Sequence, residues 1–261
     1  MKLKALASGS NGNCIYIKGG STELLVDGGI SCKRIAEGLQ SAGTAPENIK
    51  GVLLTHEHTD HINGLFVFLK HYKVPVYGTL LTLEALAEAD LKGDIDPALF
   101  RPVEKEVPFS LGEITVTPCH TNHDAADPVF YSFSEGGKKL AVMTDTGICD
   151  ERMRRELTGL SGILLESNHD IRMLETGGYP YPLKRRILSD KGHLSNDQAA
   201  EILKEIMNPE LKFVLLGHIS EENNYPDIAL LTAAGAIGNE NTGLPVIDAA
   251  TRYQSSEMYE V

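Results

Sequence analysis

The chain has no Cys-x-x-Cys pair, no long apolar run, no excess of positive charge and no low-complexity stretch. Its four cysteines, Cys14, Cys32, Cys119 and Cys149, are scattered, which excludes zinc-ribbon spacing. They are read as reduced thiols of a cytoplasmic protein. No window approaches the ~18 consecutive apolar residues of a membrane span. The apolar stretch in "MKLKALASGS" is too short for a signal peptide, so no membrane partner is expected. With 24 Lys and Arg against 36 Asp and Glu, the net charge of −12 argues against broad attraction to nucleic acid or anionic lipid. It leaves room for a local basic site.

What is present, at 261 residues and 42% hydrophobic, is ample material for a core. Short apolar runs separated by Gly-rich turns come first: "KLKAL", "CIYIKG" and "ELLVDGG", with turns at "SGSNGN" and "GGS". Helices are expected over "CKRIAEGLQSA", "HINGLFVFLKHY" and "LTLEALAEADL", with strands at "GVLLT" and "VPVYG". The second half gives strands at "GEITVTP", at two runs around Gly136 and Gly137, at "GILLES" and at "KFVLLGH". Its helices are expected at "ERMRREL", "PLKRRIL" and "SNDQAAEILKEIM", the last capped by Ser195. No linker divides the chain. The expectation is an α/β fold of four layers, an αββα sandwich, as a single domain over residues 1–261.

The polar residues sit where the apolar runs stop. "LLVD" stops at Asp27, "VLLTH" at His56, "ITVTPCHTNH" at His120 or His123, "LAVMTD" at Asp145 and "FVLLGH" at His218. The carboxyl ends of strands are where ligands bind in open α/β sheets. The run "THEHTDH" adds His58, Asp60 and His61, and alternation in an extended segment turns His56 and His58 the same way. Imidazole nitrogen and carboxylate oxygen suit Zn²⁺, Mn²⁺ or Fe. Two such ions ~3.5–4 Å apart acidify a water and stabilise the attacking and leaving oxygens. A binuclear hydrolytic site is the expectation.

Asp27, the H-x-H-x-D-H run, and then a His, Asp145 and His218 at strand ends resemble the metallo-β-lactamase fold hydrolases, from Asp27 to His218. The resemblance implies that Asp27 orients a ligand. It implies that His56, His58 and a third His hold one metal, that Asp60, His61 and His218 hold the second, and that Asp145 bridges them. For the third His, "HDAADPVFYSF" is similar to the corresponding segment of one nuclease branch and favours His123, with His120 nearby. His71, at the end of a helix, is expected to face solvent.

"SGSNGN", "ESNHD", "KRRILSD", "GHLSNDQAA" and "GHISEENN" together resemble the YycJ/WalJ group of small exonucleases within this fold. The G-H-[small]-S segment is also similar to that of the tRNA 3′-processing endonucleases, and implies that His193 assists the leaving group. Ser10, Asn11 and Asn13 are candidates for binding a terminal phosphate. Lys184, Arg185 and Arg186 form, with Lys191, the densest basic stretch and are candidates for the phosphate backbone. His169, Asn223 and Asn224 are further substrate candidates. The segment between Asp145 and His218 leaves little room for a β-CASP cap domain, and none is expected. The implied activity is 5′-to-3′ exonuclease action on DNA with a free 5′ end, with Asp60 and Asp27 in the catalytic set.

RNA-processing nuclease and small-molecule phosphodiesterase activities use the same ligands. A glyoxalase-II-like thioester hydrolase would too, but leaves "GHLSN", "KRR" and "ESNHD" unexplained. Flavodiiron reductases characteristically carry Glu where this chain has His58 and need a flavin module. A scaffold with a degenerate site is disfavoured because every ligand position is filled.

Overall fold

The computed structural model describes residues 1–238 and 243–261. Six strands enter the first sheet in chain order: β1 (Lys2–Ala7), β2 (Cys14–Gly19), β3 (Thr22–Val26), β4 (Gly51–Leu53), β5 (Val76–Gly78) and β6 (Phe100–Pro102). The second sheet takes β7 (Phe109–Leu111), β8 (Ile114–His120), β9 (Val129–Glu135), β10 (Lys138–Met143), β11 (Gly162–Glu166), β12 (Phe213–Gly217) and β13 (Val246–Ala249). The last strand, β14 (Tyr259–Glu260), returns to the first sheet beside β1. The orders are β14-β1-β2-β3-β4-β5-β6 and β13-β12-β11-β10-β9-β8-β7. Each sheet has an antiparallel part, hairpins through β1, β2 and β3 or through β7, β8, β9 and β10. Each continues as a parallel part, β3 to β6 or β10 to β13.

Alternation along the strands explains the four layers. In β2, Ile15 and Ile17 join Leu24 and Val26 of β3 in a core between the sheets, where Tyr131, Phe133, Leu164 and Leu215 arrive from the other side. The intervening Cys14, Tyr16 and Leu25 face helices α1 (Cys32–Ser41), α2 (Thr59–Ile62), α3 (Leu65–Tyr72) and α4 (Leu80–Ala89). In the second sheet Ile163, Leu165, Val214 and Leu216 face α5 (Glu151–Glu156), α8 (Asn196–Ile206) and α9 (Pro226–Ile237), while the short helices α6 (Ile171–Thr176) and α7 (Tyr181–Ile187) lie between β11 and α8. Strands buried on both faces read as continuous apolar runs, and no separate cap domain is present among the described residues. The αββα sandwich is the architecture expected. No helix among the described residues is long and apolar enough to cross a membrane.

Local features differ from the sequence reading, which also lacks the short strands β6, β7, β13 and β14. The helix expected over "HINGLFVFLKHY" is two helices, α2 and α3, broken at Asn63 and Gly64. Gly64 donates its N–H to Gly28 O at 2.8 Å, and a Cβ there would meet Ile30 O at 1.7 Å. The approach of the Asp27 loop therefore breaks the helix. The short helix α6 and the twelve-residue α9 were not expected at all. Elsewhere the agreement reaches the caps. Ser195 and Gln198 form a reciprocal capping box at the start of α8.

Candidate metal centre

The chain leaves the sheets in an unusual way at three of the strand ends. Asp27 follows β3 with φ of 60°, Asp145 follows β10 with φ of 57°, and His218 follows β12 with φ of 51°. Left-handed backbone is uncommon for residues other than glycine, though Asp and His tolerate it better than most. Its recurrence at these three ends marks positions where the direction of a side chain outweighs local strain.

At the carboxyl ends of the parallel strands the side chains converge in overlapping groups. Ligand atoms of His56, His58 and His123 lie within 4.8 Å of one another, as do those of Asp60, His61 and His218, and those of His56, His61 and Asp145. His123 Nε2 is 3.2 Å from His58 Nδ1, while His61 Nε2 is 3.2 Å from Asp145 Oδ2 and 3.4 Å from Asp60 Oδ2. His218 Nε2 is 3.3 Å from Asp60 Oδ2, and Asp145 Oδ1 is 3.8 Å from His123 Nε2. The structure thus brings together seven residues: His56, His58, Asp60, His61, His123, Asp145 and His218. His120 stays outside, its Nε2 3.3 Å from Asn122 Oδ1 and 3.7 Å from Asp150 Oδ2.

The far nitrogen of four of the five inward imidazoles is held, while His58 turns its Nδ1 toward His123. His61 Nδ1 pairs with Asp27 Oδ2 at 2.7 Å, and His56 Nδ1 with Thr55 Oγ1 at 3.0 Å. His123 Nδ1 meets Gly192 O at 3.1 Å and His218 Nδ1 meets Glu166 Oε1 at 3.0 Å. With Nδ1 of these four turned outward, Nε2 is the nitrogen that faces the centre, the orientation that metal ligation requires. Asp27 is itself fixed by the N–H of Thr55 at 2.8 Å and by its hydroxyl.

These residues fit divalent metal. His56 Nε2 is buried with no hydrogen-bond partner among the described residues, and the buried Asp145 Oδ2 has only the 3.2 Å approach of His61 Nε2, an arrangement that costs free energy unless something binds there. The ionisation pattern agrees. Burial and the adjacent His61 push His56 well below the usual histidine range. Burial works against His61 and His218, yet the surrounding carboxylates, Asp145 foremost, raise both, His218 to about 10. Burial likewise opposes the charge on Asp145, and His218 and His61 hold its carboxyl well below the usual range. Asp145 therefore remains an anion between the two halves.

Beside the seven stands a dyad of another kind. Glu166, the last residue of β11 and fully buried, takes His193 Nδ1 at 2.8 Å on the same Oε1 that meets His218. Its Oε2 accepts from the N–H of Thr146 at 2.9 Å. Burial opposes its charge, but His193, with His218, holds it down to about 2. Atoms of Asp145, Glu166, His193 and His218 also converge within 4.8 Å. The Glu166 lone pairs there are taken by hydrogen bonds from His193, His218 and Thr146, so this group reads as a hydrogen-bonded cluster beside the centre. Glu166 was missed in the sequence, although its signal was there. The apolar run "GILLE" ends at a polar residue as the other strands do.

The substrate candidates are treated unequally. Asn13 is buried in the site, its amide 3.1 Å from His61 Nε2 and its N–H donating to Asp60 O at 2.8 Å. It ties the "SGSNGN" loop to Asp60. Ser10 is exposed, and Asn11 donates to Glu221 at 2.8 Å. Lys184 donates to the carbonyls of Glu175 and Gly177 just beyond α6, and Arg186 pairs with Asp124, the residue after His123. Arg185 is exposed with no ion pair among the described residues. Asn224 is not available to a substrate, because its amide is consumed by Ser167 O, Asn168 O and Asn196 Oδ1. Asn223 and His169 are buried, each with side-chain nitrogen lacking a partner among the described residues, and burial lowers His169 to about 4. His71 faces solvent.

Residues 22–219 match the family described as Beta-lactamase superfamily domain. The chain is 37% identical over 250 residues to exodeoxyribonuclease YycJ of Bacillus anthracis, covering 94% of this chain and 92% of that one. It is 36% identical over 245 residues to exodeoxyribonuclease WalJ of Streptococcus pneumoniae, covering 94% and 91%. Among solved structures, the metallo-β-lactamase fold protein YhfI from Bacillus subtilis superposes with a TM-score of 0.72 at 17% identity, over 98% of this chain and 99% of that chain. Strand order, converging histidines and these matches agree, and the chain belongs to the β-lactamase superfamily, as a hydrolase of the metallo-β-lactamase fold.

Proposed function

We infer that the protein is a metal-dependent exodeoxyribonuclease that removes nucleotides from the 5′ end of DNA. The observation that carries this reading is His193, held by Glu166 through Nδ1 and standing 3.6 Å from Asp145 Oδ1, beside the ligand groups. The names of the relatives support DNA as the substrate.

His56, His58 and His123 would hold one ion, Asp60, His61 and His218 the other, and Asp145 would lie between them, with Zn²⁺ or Mn²⁺ suited to the donors and Fe also compatible. Such ions, when bound, polarise a phosphodiester and acidify a water. The chain's own residues do the rest. Asp27 keeps His61 in the tautomer that presents Nε2 inward. Glu166 holds His193 through the Nδ1–H, so that Nε2 is turned to hand a proton to the departing oxygen. After transfer the neutral ring keeps its Nδ1–H on Glu166. Asp60, accepting between His61 and His218, sets the spacing of its half of the site.

The test is a nuclease assay on metal-reconstituted protein with end-labelled single- and double-stranded DNA and RNA, each with 5′-phosphate or 5′-hydroxyl, beside a thioester. Stepwise loss of nucleotides from the 5′ end of DNA is the expected result. Preference for RNA would move the substrate class, and thioester turnover with intact nucleic acid would overturn the nuclease reading while keeping the metal centre.

A further inference from the structure

The edge that carries His218 has a second concavity. There the segment after β13 crosses from one sheet to the other. Ala250 N donates to Leu216 O at 2.8 Å, Ser8 N to Thr251 O at 3.1 Å, and the Ser256 hydroxyl accepts from Ala5 N at 3.0 Å. Between this segment and the loop after β12 lies a cleft of about 290 Å³, walled by Ser8, Ile219, Tyr225, Ala250, Arg252 and Tyr253. Ile219 and Ala250 are buried and make part of an apolar lining. Tyr225 and Tyr253 are 60% and 68% exposed, large rings left facing water.

The cleft shares a wall with the metal centre. Ser8 accepts the N–H of His218 on its hydroxyl at 2.8 Å, and Ile219 follows His218 in the chain. Arg252 lies across Gly9, where a Cβ would meet its Cγ at 2.7 Å, which accounts for a glycine in the "SGSNGN" loop. Its Nη2 donates to Ile219 O at 2.8 Å, while its buried Nε has no partner among the described residues. The Tyr253 hydroxyl is anchored on Glu221 at 3.2 Å, and the same carboxylate holds Asn11. The loop beside Asp60 and the cleft are therefore one connected surface.

We propose that this cleft holds one unpaired nucleobase of the DNA strand being cleaved, stacked on Tyr225 and Tyr253 beside the Arg252 guanidinium. The proposal rests on the nuclease reading and adds a base-binding site that the metal chemistry does not require. A chain of net charge −12 lacks the broad basic surface by which most proteins hold DNA. Stacking supplies affinity without charge and without regard to sequence, because every base has a π-face. A volume near the small end of ligand pockets suits one planar group. A base in this cleft cannot also be paired, so the strand end engaged must be single-stranded.

The experiment compares metal-reconstituted wild type with Tyr225→Ala, Tyr253→Ala and the two Phe variants. The substrates are a 5′-phosphorylated single-stranded oligonucleotide, the same oligonucleotide with abasic sites near its 5′ end, and bis(p-nitrophenyl) phosphate. The expected result is a KM on the intact oligonucleotide raised about 10-fold in each Ala variant, the order of one lost base–aromatic stack. That loss should exceed any loss on bis(p-nitrophenyl) phosphate by about the same factor, and Phe should restore it. Abasic DNA should bind wild type weakly and show no further loss in the Ala variants. Ala variants that degrade the intact oligonucleotide with the wild-type KM would overturn the stacking site and leave the nuclease reading untouched. Wild type that cleaves bis(p-nitrophenyl) phosphate but leaves all DNA intact would remove both.

Discussion

His193 Nδ1 and Glu166 Oε1 lie 2.8 Å apart at the end of β11, and that carboxylate oxygen is also 3.0 Å from His218 Nδ1. One buried anion therefore orients two imidazoles, that of His218 within the ligand cluster and that of His193 beside it. The two roles can be separated by mutation. His193→Ala should keep both metals and lose on the order of 10²–10⁴-fold in turnover, the range of a general acid. Glu166→Gln should lower turnover as well, and should weaken metal binding at the His218 half of the site. Metal content by elemental analysis beside single-turnover rates reads both effects. A His193→Ala protein with wild-type rates on DNA would remove this residue from the mechanism.

Asp145 and Asp27 should differ in kind. Asp145 faces His61 and His123 from its two oxygens and lies between the halves, so Asp145→Ala should lose bound metal outright. Asp27 touches no candidate ion position and acts on His61 through a 2.7 Å bond. Asp27→Asn should weaken metal binding by about 10–100-fold while leaving the stoichiometry attainable at high metal, as for other carboxylates behind a ligating histidine. Equal affinities for Asp27→Asn and wild type, measured with a competing chelator, would argue against that role.

The fold was legible because its strands are buried on both faces and stop abruptly at polar residues, and the H-x-H-x-D-H run states its chemistry locally. What was not legible depended on contacts between distant segments. The break at Gly64 follows from the Asp27 loop pressing on that backbone, and Gly64 alone does not announce it. Helix α9, "PDIALLTAAGAI", is apolar nearly all round and offers no periodicity to read. The basic run at 184–186 showed its charge but not its partners, since Arg186 finds Asp124 sixty-two positions away. Glu166 ends its apolar run as the His and Asp residues end theirs, but a single Glu at a strand end carries no local sign of the two imidazoles it meets.

The same run gives a test by salt. Arg185 is exposed and has no ion pair among the described residues, whereas Lys184 is spent on the carbonyls of Glu175 and Gly177. If the exposed guanidinium contacts a DNA phosphate, Arg185→Ala should reduce the slope of log affinity against log salt by about 0.7–0.9. Lys184→Ala should leave the slope in place and lower thermal stability slightly. Binding titrations at several ionic strengths decide between the two, and a slope unchanged in Arg185→Ala returns that residue to an ordinary solvated helix face.

Loading with metal should release protons, and its sign follows from the centre without ions. His218 is raised to about 10 and His61 well above the usual range, principally by Asp145, so below those values each ring carries a proton on the face that a metal needs. An ion must displace those protons, so apparent affinity should rise with pH between about 6 and 9 and fall as the solution is acidified. Because His218 gains stability from its carboxylate neighbours when charged, that contribution is fully present below the unfolded value near 6.5 and is lost as pH rises through about 10. Chelated protein should therefore melt at progressively lower temperature from pH 7 to pH 10. The loaded protein, whose imidazoles are already neutral and bound, should lose less over the same range. Calorimetric titration of Zn²⁺ in two buffers of different ionisation enthalpy counts the protons released. A count of zero at pH 7 would contradict the charged-histidine description of the metal-free centre.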